Sequence, residues 1–94
     1  MGTVQLDDAA VFVSVVDAGS FSGAARLLSL PKSSVSRAVS RLELELGVKL
    51  LERTTRSLRL TDAGKRYHSS VAPALSAVRD AAREAGELVQ EVSG

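Results

Sequence analysis

The last third of the chain carries its strongest constraint. Val71, Leu75, Val78, Ala82, Ala85, Val89 and Val92 recur at alternating steps of four and three. That is the apolar seam along which two helices pack side by side. Thr61 suits the cap of such a helix, and Asp62 stands in its first turn, where the dipole favours an acid. From Asp62 to Val92 the helix would run roughly 45 Å at about 1.5 Å per residue. A chain of 94 residues makes one small domain with one modest core. It cannot cover so long a stripe by itself, so the seam predicts a partner helix from a second copy. Pro73 lies within the stripe and predicts a kink, because it removes one backbone hydrogen bond.

Aromatic residues make up 3% of the chain, which leaves Leu, Val and Ala to build the core. Packed helices suit such a core better than a large sheet, which draws on aromatic and β-branched residues. Cysteine is absent and histidine occurs once, so disulfides, thiolate metal sites and histidine-rich metal sites are excluded. No cofactor is expected. No apolar run approaches a membrane span, and the N-terminus lacks the basic-then-apolar pattern of a signal peptide. A cytoplasmic protein with no membrane partner is expected.

The net charge of +1 conceals an uneven distribution. Residues 31–66 hold nine lysines and arginines against Glu43, Glu45, Glu52 and Asp62, while the segments on either side are net acidic. A basic centre between acidic flanks fits a surface that meets a polyanion, and equally a solvated charged face.

Periodicity places three helices ahead of the long one. Leu6, Ala9, Val13 and Val16, widened by Phe12 and Val15, make a buried stripe over Thr3–Ala18. Thr3 is the expected cap and Gly19 the left-handed stop. Ser22 reads as the cap of a short second helix, with Phe21 stapling its entry and Ala24, Ala25, Leu27 and Leu28 on its buried side. Pro31 ends that segment. A third helix starts near Ser33, its expected cap, buries Val35, Val39, Leu42 and Leu46, and stops at Gly47. Its other face carries Ser34, Arg37, Ser40 and Arg41, with Ser33 and Ser36 near the front and no acid before Glu43. Leu50-Leu51 and Ser57–Leu60 read as a hairpin with Arg53-Thr54-Thr55-Arg56 at its tip. The expected fold is mainly α: a winged helix-turn-helix over 1–61 and a linker or dimerisation helix over 62–94.

These residues resemble a known family. Ser20-Phe21-Ser22, Ala24-Ala25 and Leu27-Leu28, then the run LPKSSVSRAVSRLELELGVKLLERTTRSLRLTDAG from Leu30 to Gly64, are similar to the DNA-binding domain of LysR-type transcriptional regulators. The resemblance covers residues 3 to 92 and rests on many matched positions together. It implies a bacterial, sequence-specific binder of double-stranded DNA that acts as a homodimer and reads a dyad operator. The third helix would lie in the major groove and the wing on the minor groove or backbone. It further implies a C-terminal domain that binds a small-molecule inducer, and it admits a tetramer of the full-length protein. Such a domain would lie beyond Gly94, so the sequence is expected to be a piece of a longer regulator or a short natural protein. Two positions depart from the family pattern: Lys32 stands where glutamine is common, and Leu51 where phenylalanine is common.

On this resemblance the expected DNA-contacting residues are Lys32, Ser33, Ser34, Ser36, Arg37, Arg41, Arg53, Thr54, Thr55 and Arg56. The expected dimer residues are Val71, Leu75, Val78, Ala82, Ala85, Val89 and Val92. Arg53 has a second reading, in which it holds the wing to the body. Lys49, like Arg41, is read as a phosphate contact or a plain surface charge. Glu43 is expected to pair with a nearby arginine, and His68 to be an ordinary surface or interface residue. No base or oxyanion site accompanies the serines, so an enzyme is not expected. A protein-binding module or a pure dimerisation unit are the rival classes. The Arg and Ser face of the third helix discriminates: a protein-binding face would show exposed apolar anchors there, where arginine and serine stand instead.

Overall fold

The computed structural model describes residues 5–54 and 57–93, with side chains as far as Leu88. Helix α1 spans Leu6–Ala18, α2 Phe21–Leu28 and α3 Lys32–Leu46. Strands β1 (Leu51–Arg53) and β2 (Leu58–Leu60) form the wing, and α4 runs over Asp62–Ser93. The molecule is drawn out along α4, with principal extents of 52 × 30 × 20 Å.

Glycine ends α1 and α3 as expected. Gly19 and Gly47 sit at φ 76° and 72°, where a side chain would be strained. The starts of α1, α2 and α3 differ from expectation. Thr3 lies outside the described residues, and Gln5 occupies the cap position of α1. Ser20, not Ser22, caps α2: its Oγ accepts the Gly23 N–H at 2.9 Å. Starting the helix at Phe21 puts Phe21, Ala24, Ala25 and Leu28 on one stripe at spacings of three, one and three. Leu27 falls outside that stripe and is 71% exposed. Helix α3 starts at Lys32 on the carbonyl of Pro31, which accepts the N–H groups of Ser34 and Val35. Pro31 therefore holds the cap position, and Ser33 is an exposed first-turn residue rather than the cap.

Phe12, Val15, Val35, Val39, Leu42 and Leu50 are the largest fully buried side chains, and they lock α1 and α3 together beneath the wing. Leu6, expected on this buried stripe, is exposed at the first turn of α1. The wing strands pair antiparallel with Leu51 opposite Leu60 and Arg53 opposite Leu58. Thr61 ties the wing to the arm: its Oγ1 donates to the Lys49 carbonyl at 2.7 Å and accepts the Gly64 N–H at 3.0 Å. Gly64 packs on the Leu50 carbonyl so closely that a Cβ would overlap it.

Helix α4 runs through Pro73. Its first half belongs to the core. Tyr67 packs on Phe12 with ring centroids 5.7 Å apart, Leu75 is buried and Val71 is partly buried. Val71 and Leu75, assigned from the seam to a partner helix, thus pack within their own chain, because α4 crosses back over α1. Beyond them the stripe is uncovered: Val78 is 54% exposed, and Ala82 and Ala85 lie open. Val89 and Val92 lie outside the described side chains.

Candidate nucleic-acid interface

Burial splits α3 lengthwise. Val35, Ala38, Val39 and Leu42 face the core, while Lys32, Ser33, Arg37 and Ser40 face solvent and Ser34 and Ser36 are half-buried. Lys32 and Arg37 take no part in the ion pairs among the described residues. The N-terminal half of the helix therefore presents cations and small hydroxyls to solvent. One turn beyond Ser40 the same face carries Leu44, 81% exposed. The expectation that this face lacks any apolar side chain fails at that end. A single exposed leucine is ordinary on a protein surface and does not make a docking patch.

The wing is held beside this face by Arg53. Its guanidinium carbon stands 4.1 Å from the centroid of the Phe21 ring, and its Nη1 donates to Ser36 Oγ at 3.1 Å. A cation over an aromatic face is attracted by the ring quadrupole. One side chain of β1 thereby joins α2 and α3. Of the two readings of Arg53, the contacts supply the wing-holding one. Thr54 builds the turn: its N–H donates to the Ser57 carbonyl at 2.9 Å, and its Oγ1 accepts the Ser57 N–H at 2.9 Å. Thr55 and Arg56 lie outside the described residues.

Arg41 is turned toward α1. It makes a two-pronged bond to Asp8, Nη2 to Oδ1 at 2.9 Å and Nε to Oδ2 at 3.1 Å. The hydrogen bond to Asp8, and then its charge, hold the guanidinium above its ordinary pKa. Asp8 itself is buried, and sequence reading did not single it out. Glu43 is buried as well, and its partners differ from the expected arginine. Its Oε2 accepts the backbone N–H groups of Leu50 and Leu51 at 2.8 and 3.2 Å, and Lys49 Nζ stands 3.7 Å from Oε1. A carboxylate so placed satisfies two amides at the entry to β1. His68 Nε2 lies 3.0 Å from Asp17 Oδ1, bridging α4 to the end of α1.

Between the starts of α2 and α3 and the root of the wing lies an open cavity of about 370 Å³, lined by Ser22, Lys32, Ser36 and Arg53 among others. Ser22 and Phe21 join the site this way, although local sequence had assigned them to a cap. The signal that could have found Phe21 is its pairing with a basic residue 32 positions later, which no local pattern carries. Among the described residues no group of His, Cys, Asp and Glu is placed to hold a metal ion. Among them, too, no helix is long and apolar enough to cross a membrane.

Three packed helices, an outward basic face on the third and a two-stranded wing pinned beside it define a winged helix-turn-helix that runs on into a long helix. Residues 6–65 match the family described as bacterial regulatory helix-turn-helix protein, lysR family, and the chain belongs to that family. It is 53% identical over 81 residues to the probable HTH-type transcriptional regulator LtrA of Klebsiella pneumoniae, an alignment covering 86% of this chain and 26% of LtrA. The full-length structure of the virulence activator AphB of Vibrio cholerae superposes with a TM-score of 0.81 at 32% identity, covering 85% of this chain and 28% of AphB. The BenM_DBD/catB site 1 DNA complex superposes with a TM-score of 0.82 at 32% identity, covering 90% of this chain and 96% of that one. The chain thus spans about a quarter of the length of the curated relatives it matches.

Proposed function

We propose that this chain is the sequence-specific, double-stranded-DNA-binding part of a transcriptional regulator. In this reading two copies join through α4 and read a dyad operator. The observation that carries it is the N-terminal half of α3: Lys32, Ser33 and Arg37 are uncovered, no acid interrupts them, and Arg53 pins the wing alongside. The likeness to a domain solved on DNA supports it. Helix α3 enters the major groove, where Arg37 meets a guanine edge and Ser33, Ser34 and Ser36 meet bases or phosphates. Thr54, Thr55 and Arg56 meet the minor groove or backbone. Arg41 keeps three of its five N–H groups beyond the two given to Asp8, enough for a phosphate. The exposed stripe from Val78 through Ala82 and Ala85 meets the arm of the second copy, antiparallel to it. Small-molecule control, and any tetramer, belong to the rest of a longer regulator.

Selection from a random duplex pool tests this reading. The expected result is an enriched motif of two inverted half-sites about one helical turn apart, bound more weakly as salt rises. No enriched motif, together with salt-independent binding, overturns it.

A further inference from the structure

Lys32 is the first residue of α3, is exposed, and shares the cavity between helix and wing with Ser36 and Arg53. The residue before it, Pro31, brings no polar side chain to that corner. Of the cations there, Arg53 is committed to Phe21 and Ser36, and Arg37 stands more than a turn further along the helix. Among the described residues no carboxylate pairs with Lys32. Its ammonium is therefore the long donor at the entering end of the helix, the end whose residues meet base edges in helix-turn-helix proteins. An ammonium has three donors and no acceptor. Guanine alone offers two adjacent acceptors in the major groove, N7 and O6. Adenine and cytosine set an amino donor on that edge, against which a lysine is repelled, and thymine sets one acceptor beside a methyl group.

We infer that Lys32 is a specificity-determining residue that reads one guanine in each half-site. This rests on the DNA-binding reading above. The test is duplex selection and titration with the 94-residue chain and its Lys32→Ala and Lys32→Gln variants. The parent motif holds a guanine whose replacement by adenine weakens binding about 5- to 100-fold. Lys32→Ala loses the preference at that position and keeps the rest of the motif. Lys32→Gln turns the preference to adenine, because an amide offers both a donor and an acceptor to adenine N7 and N6. If both variants select the parental motif, with affinity lowered evenly over all sequences, Lys32 is a phosphate contact; the inference falls and the DNA-binding reading stands. If the parent itself selects no motif, both fall.

Discussion

The Glu43 carboxylate, on α3, accepts the backbone N–H of Leu50, seven residues on and beyond the end of the helix, at 2.8 Å. The same oxygen takes the Leu51 N–H, so one buried side chain sets where the wing leaves the helix that it flanks. Glu43→Ala strands two amides in a buried place. Each unsatisfied group costs about 1–3 kcal/mol. Urea unfolding is expected to show a loss of about 2 kcal/mol or more, and Glu43→Gln a smaller one, because its amide oxygen still accepts. Stability equal to the parent in the alanine variant would contradict this role.

Arg53 offers a test in which stability and binding separate. Removing the contact over Phe21 and the bond to Ser36 costs about 0.5–2 kcal/mol in folding. Arg53→Ala is expected to lose more in DNA affinity than in stability, because the wing is no longer held beside α3. Arg53→Lys keeps the charge and lacks the planar fork, and is expected to recover part of the binding. Parallel urea and DNA titrations decide the matter. Full binding by the alanine variant would dismiss the wing-holding role.

Arg37→Ala and Arg56→Ala are expected to weaken DNA binding in different ways. Loss of Arg37 should relax base preference at one or two positions, at about 1–3 kcal/mol. Loss of Arg56 should lower affinity evenly and flatten the salt dependence by about one phosphate. Titrations of cognate and scrambled duplexes at several salt concentrations separate the two.

The arm calls for substitutions outside the core. Leu75→Glu buries a charge within its own chain and is expected to unfold it. Val78 is 54% exposed and Ala82 lies open, so the double variant Val78→Glu/Ala82→Glu should keep the monomer fold. If α4 pairs two copies, it sediments as a monomer and loses most affinity for a two-half-site duplex, because the linked half-sites supply avidity. A double variant that remains dimeric would move the interface elsewhere.

Gly64→Ala is expected to destabilise the fold although alanine favours helices. Its Cβ would meet the Leu50 carbonyl, and backbone does not give way as a flexible side chain does. A midpoint in urea equal to or above the parent's would show that the wing has slack at this junction.

Local pattern was sufficient for the order of the helices and for the buried face of α3, but not for Leu6 on α1 or Leu27 on α2, which are exposed. The spacing of Val35, Val39 and Leu42 marks the buried side of α3, and Gly19 and Gly47 mark where helices stop, because these follow from helical pitch and from steric freedom at one residue. The run from Leu30 to Gly64 was enough to point to the family. Tertiary structure alone decided the partners. Asp8 and Arg41 are 33 residues apart, and Glu43 finds backbone amides rather than an arginine. Val71 and Leu75 look identical in pattern to Val78, yet they are covered by α1 while Val78 is not. Periodicity states that a face is apolar. Which surface covers it depends on where the chain has room to return, and that is a property of the packed molecule.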